Sequence, residues 1–193
     1  MTENRGGLVF WGSGALLAAA LVISLFVPQS RPVTEVAPGP ADKRPYVMLY
    51  GMHSKVTECE YLLARSEGEW IDIWLKHEGL TQEERYDTFY NPAGLPDVDF
   101  ETCMVVAVFQ GRRWNSAGVL AHSIVEEDVV VRLRFNDRSF QTAGPDGGGV
   151  KVTPFGIFVI PASKKAVLLE ENVQNLKGGP SRWKERHRFD AQR

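Results

Sequence analysis

CMVVAVFQG, Cys103 to Gly111, is the stretch on which the fold turns. From Met104 to Phe109 it is apolar without a break, three of the six residues are valine, and glycine closes it. A strand with one wet face alternates polar and apolar residues. This one does not, so it reads as a strand buried on both faces. Directly after it the polarity inverts into Arg112-Arg113-Trp114-Asn115, which is what a turn reaching water requires. Trp beside Arg is also a pairing enriched where proteins bind one another.

The segments around it read mostly as strands. In VVVRLRF, Val129, Val131, Leu133 and Phe135 point one way and Val130, Arg132 and Arg134 the other. GVLAHSIV, from Gly118, joins that strand through Glu126-Glu127-Asp128 as a hairpin. FGIFVIP from Phe155 and KAVLLEE from Lys165 form a second expected hairpin over Ala162-Ser163-Lys164. Upstream, VTECEYLLARS (Val56 to Ser66) predicts another strand. SEGEWIDIWLKHEG predicts a helix: Ser66 caps it, Glu69 completes a capping box, and Gly79 ends it. Trp70, Ile73, Trp74 and His77 share one face as a core stripe, with His77 near the C-terminal dipole. Thr81 to Asp97 reads as a loop. With no helix of ordinary length between the later strands, parallel βαβ units are not expected. The predicted class is mainly β (α+β): an antiparallel sheet or small β-sandwich with one packed helix.

This domain, expected over 46–176, follows an anchor and a stalk. Leu8 to Val27 is a run of twenty uncharged residues, LVFWGSGALLAAALVISLFV. As a helix rising ~1.5 Å per residue it covers ~30 Å, one hydrocarbon core. No small-x-small cleavage pattern follows it, so the expectation is a retained single transmembrane helix. Residues 1–7 would then be cytoplasmic and the remainder extracytoplasmic, on the periplasmic side of a cell (inner) membrane. Residues 28–45 carry four prolines in their first thirteen positions and read as an extended stalk.

The net charge of −2 conceals a segregation. Residues 45–176 hold 12 Lys and Arg against 19 Asp and Glu, whereas 177–193 hold six basic and two acidic residues. An acidic body argues against nucleic acid as a partner. The basic end is expected to be a flexible, solvated tail. Export would let Cys59 and Cys103 pair, closing a loop worth ~3–4 kcal/mol. The alternative is two buried free thiols. No histidine stands at metal-ligand spacing from either cysteine, and no metal or cofactor is expected.

Catalytic motifs are missing: no Gly-x-Ser-x-Gly, no phosphate loop, no His-Glu-x-x-His. GPDGGG, 144–149, reads as a flexible loop. His122, in line with Leu120 and Ile124, reads as a buried, hydrogen-bonded imidazole. Asp97 and Asp99 flank Val98 and read as a turn leading into the strand. An envelope glycan-binding or glycan-acting protein would need Asp97, Asp99 and His122 to meet in one cleft.

Val98-Asp99-Phe100, the strand Val105–Phe109 ending at Gly111, Ser116-Ala117-Gly118 and Thr153-Pro154-Phe155 follow one another in an order similar to the PrcB C-terminal domain family. Glu69-Trp70 and Trp74 in the helix add to the resemblance, which covers roughly Val56 to Glu171. The family more often has Gly-Gly-Tyr where this chain has Ala117-Gly118-Val119. The resemblance implies a mainly β, exported or membrane-tethered domain named for an accessory subunit of a protease complex, and it carries over no catalytic residue. The expected function is therefore protein binding rather than catalysis, with a protease or another envelope protein as partner. Arg112, Arg113, Trp114 and Asn115 are the expected contacts, and 144–149 is the neighbouring loop.

Overall fold

The computed structural model describes residues 43–81, 94–142, 148–174 and 179–192. These belong to the larger of two compact units, Ala37–Arg193. The other unit, Met1–Val36, lies outside the described residues, as do the expected span 8–27 and the stalk up to residue 42. Among the described residues no helix is long and apolar enough to cross a membrane.

Among the described residues ten strands and one helix follow in order. They are β1 (Val47–Gly51), β2 (Cys59–Ala64), α1 (Glu67–Glu78), β3 (Cys103–Gln110), β4 (Arg113–Trp114) and β5 (Ser116–Glu126), then β6 (Val130–Ser139), β7 (Lys151–Val152), β8 (Phe155–Pro161), β9 (Ala166–Asn172) and β10 (Trp183–Phe189). One sheet runs β1-β8-β3-β2 and is antiparallel throughout. A second runs β10-β9-β6-β5, and β4 pairs with β7 in a short separate ribbon.

The unbroken apolar run of β3 is explained by what lies on each side. Met104, Val106 and Val108 enter a core shared with Val131, Leu133 and Phe135 of β6 and Val167 and Leu169 of β9. Val105, Ala107 and Phe109 enter a second core with Trp70 and Ile73 of α1. β8 divides in the same way, Phe158 and Ile160 to the first core and Ile157 and Val159 to the second. The result is three layers, helix on sheet on sheet.

α1 begins and ends where expected. Ser66 Oγ accepts from the Glu69 amide, and Gly79 closes the helix at φ 70°. The Glu69 carboxylate accepts from the Arg65 amide at 2.7 Å, one residue before the position a capping box would use. Ile71 and Leu75 are buried along with Trp70, Ile73 and His77, so the covered face is wider than the predicted stripe. His77 lies against Phe155 and Phe109, with Nδ1 3.0 Å from Ser54 Oγ. Burial pushes its pKa below the ordinary histidine value, so desolvation outweighs the pull of the neighbouring Glu78 charge toward the charged form.

Three expectations are corrected. β8 and β9 are not a hairpin: the turn over 162–164 carries the chain from one sheet to the other. β8 has two apolar faces and needs a central place with cover on both sides, which β1 and β3 as neighbours provide. β9 instead pairs with β6, and that pair is parallel, Leu133 opposite Leu169. The intervening chain makes its crossover through the first sheet, so no helix is needed. The expected flexible tail contains β10, paired with β9 from Trp183–Asn172 to Phe189–Val167. His187 stacks on Tyr61 at 5.5 Å, Arg186 Nε holds Glu171 at 2.5 Å, and the domain extends to Phe189. Its charged residues belong to an edge strand, where they discourage further pairing.

The cysteines do not pair: both are free. β2 and β3 are antiparallel neighbours with Cys59 opposite Gln110, so Cys103 lies seven positions along the same strand. At ~3.3 Å per residue that is ~23 Å, far beyond the ~7 Å limit between bridged Cα atoms.

Phe158 is fully buried between the two sheets. Truncating it to Ala removes a ring and leaves a void that neighbouring strands cannot close. A loss of about 3–5 kcal/mol in urea denaturation is expected.

Candidate functional site

The site is built where β3 runs out. Gly111 takes φ 68°, and a Cβ there would stand 2.7 Å from the Glu58 carbonyl carbon, so only glycine allows so tight an exit. The Arg112 amide then donates to Thr57 O at 3.0 Å. β4 pairs with β7, Arg113 opposite Val152 and Trp114 opposite Lys151. Asn115 follows at φ 55°, a left-handed conformation its short amide tolerates. Its backbone N–H donates to Val150 O at 2.9 Å, and its side-chain Oδ1 accepts from the Val150 backbone N–H at 2.7 Å. Asn115, expected as a contact, is occupied in shaping the ribbon.

Trp114 is 58 % exposed yet held in place. Lys151 Nζ lies 5.2 Å from its ring centroid. Gly149 approaches its benzo edge so closely that a Cβ would sit 2.7 Å from the ring. Of the glycine-rich loop 144–149, Gly149 stands against the tryptophan, and 144–147 lie outside the described residues.

The ribbon forms one wall of a groove of about 350 Å³, lined by His53, Arg112, Arg113, Trp114, Lys151 and Thr153 with Val152 at its base. His53 arrives through a parallel bridge to Thr153, fastened where Thr153 Oγ donates to Ser54 O at 2.6 Å. Sequence reading missed His53 and Lys151. Neither stretch carries a pattern that points to a site, and only the His53–Thr153 bridge and the Trp114–Lys151 pair bring them beside Arg112. Every ionisable residue among the described lining is a potential cation.

Beneath the ribbon is a line of buried polar groups. Ser116 Oγ donates to the Asp137 carboxylate. Gln110 Nε2 donates to Glu171 at 3.4 Å, while Gln110 Oε1 is buried without a partner. Burial pushes the Asp137 carboxyl above the ordinary range, against the opposing effects of the Ser116 hydrogen bond and the Arg113 charge. Tyr61, at the β2 side, is also raised by burial and by its contact with Cys59 Sγ at 3.6 Å.

The other sequence candidates lie elsewhere. Asp99 accepts from the Glu101 amide and from Thr102 Oγ at 2.7 Å, the turn expected before β3. The Thr102 bond is the main reason its carboxyl is held below the usual range. Asp97 and Asp99 line a cleft beside the start of α1, on the first sheet. His122 belongs to the second sheet and is exposed rather than buried. A bulge between Ala121 and Ser123 turns it outward, 5.0 Å from Trp183. Asp97, Asp99 and His122 therefore do not share a cleft, and among the described residues no three acidic, histidine or cysteine side chains could hold a metal. No family model matches this chain, and neither a curated protein nor a solved structure matches it.

The Asp137 environment makes a testable statement. Its pKa in the fold lies above the unfolded value of 3.8, so its stabilising contribution is full below 3.8 and is lost as pH rises through the folded value. Asp137→Asn keeps an acceptor for Ser116 and removes the half-buried charge. It is expected to raise the urea midpoint near neutral pH, with the gain shrinking as pH falls toward 3.8.

Proposed function

We propose that this chain is a membrane-anchored, extracytoplasmic protein-binding domain, with the groove beside β4 as its recognition surface. The observation that carries this reading is the state of the groove's side chains. On the second sheet Arg132 pairs with Glu127 and Glu170, Arg134 with Glu170, and Arg186 with Glu171. Among the described residues, no ion pair involves Arg112, Arg113 or Lys151, and Trp114 stands exposed between them. An immobilised aromatic ring loses little entropy on binding and buries a large area, which makes it an effective anchor for a partner.

The uncharged run 8–27 supports the anchor, and the proline-rich composition of 28–45 supports a stalk. The resemblance to the PrcB C-terminal domain supports an accessory role, with a protease or its precursor as the partner. The rigid double sheet supplies a fixed platform for a loop-borne site.

The test is affinity capture of tagged full-length protein from gently solubilised membranes, in parallel with Arg112→Ala/Trp114→Ala. A partner retained by the parent chain is expected to fall by about tenfold or more in the double variant, the scale of losing one hot-spot residue. Equal recovery by both would remove the groove from the assignment.

A further inference from the structure

We infer that the groove takes an acidic peptide segment: an extended stretch of a partner protein that sets Asp or Glu carboxylates against Arg112 and Lys151 and lays an apolar side chain on Trp114. The inference rests on the groove being the recognition surface and adds the chemistry of what fills it.

Three observations point to this ligand. The first is charge. The groove's described lining carries His53, Arg112, Arg113 and Lys151 and no carboxylate, on a body that holds 19 acidic against 12 basic residues over 45–176. Arg113 is partly balanced by Asp137 behind it, since its charge lowers that carboxyl's pKa. Arg112 and Lys151 have no such carboxylate partner among the described residues. The second is the mixture of surfaces. Trp114 and Val152 give the same groove an apolar element, so a bare anion would leave half of the site unused. A peptide can alternate carboxylates with apolar side chains at the spacing of an extended chain. The third is shape. A concavity of about 350 Å³ admits side chains, whereas the flat face of a bilayer cannot enter it. The net negative charge of residues 45–176 also disfavours a long polyanion, which selects a short acidic stretch over nucleic acid.

The experiment is fluorescence anisotropy with detergent-solubilised full-length protein. The probes are a dye-labelled peptide of Glu and Phe spaced by Gly, the same peptide with Gln for Glu, and vesicles of phosphatidylglycerol with phosphatidylcholine. The Glu peptide is expected to bind saturably and to weaken as salt is raised. The Gln peptide should bind about tenfold or more weakly, and Arg112→Glu/Lys151→Glu should weaken the Glu peptide to the same degree, the scale of two exposed charge contacts. Circular dichroism melts should match the parent chain, because both residues lie at the surface of the ribbon.

Equal binding of Glu and Gln peptides, abolished by Trp114→Ala, would overturn the acidic ligand and leave the groove reading standing. Binding of the Glu peptide that ignores both the charge-reversal and Trp114→Ala variants would overturn the groove reading itself. Vesicle binding that depends on Arg112 and Lys151 while the Glu peptide stays unbound, or no binding of any probe, would overturn the inference.

Discussion

A strand with no polar face must be covered twice, and β3 and β8 impose that demand on the rest of the domain. Each backbone there is satisfied by its neighbours in the sheet, while the side chains from Met104 to Phe109 and from Ile157 to Ile160 are buried. One face is sealed by α1 through Trp70 and Ile73, the other by the second sheet through Leu133, Phe135 and Leu169. Burying a large apolar side chain stabilises by roughly 1.5–3 kcal/mol, so leaving either face open would forfeit much of the fold's margin. The crossover between β8 and β9 follows. β9 cannot lie beside β8 in the same sheet and also roof it.

The second sheet meets water on its outer side, and there the charges are matched in a ladder. Glu170 accepts from Arg132 at 2.5 Å and from Arg134 at 2.9 Å, and Arg134 also lies 5.2 Å from the Trp183 ring. These pairs are part-buried rather than fully exposed. The ribbon of β4 and β7 is too short to bring such a ladder with it: among the described residues Lys151 is in no ion pair, and Arg113 is only partly balanced by Asp137. The same ribbon fixes Trp114 between Lys151 and Gly149, so recognition chemistry stands on a rigid mount.

Gly111 joins these two parts of the molecule. Its left-handed backbone lets the most buried strand end abruptly against the start of β2, placing Arg112 and Trp114 at the surface within a few residues of Phe109. The polar line of Ser116, Asp137, Gln110 and Glu171 beneath the ribbon is where the buried core gives way to the charged rim. A carboxyl held there with a raised pKa is the electrostatic counterpart of that transition.

Sequence alone determined the local elements, because each depends on a short-range pattern. The apolar run of β3, the alternation in β6, the hairpin from β5 to β6 and the Ser66-to-Gly79 limits of α1 are all set by neighbours within a few residues. The polar break at Arg112–Trp114 was legible for the same reason. Only tertiary structure decided which strands pair over long distances. The parallel β6–β9 pair, the capture of the basic end as β10 and the ~23 Å separation of Cys59 from Cys103 depend on which faces remain uncovered once β3 and β8 are central. His53 and Lys151 became part of the site for that reason too. Each is unremarkable in its own stretch, and only the bridge to Thr153 and the pairing of Trp114 with Lys151 bring their charges into one groove.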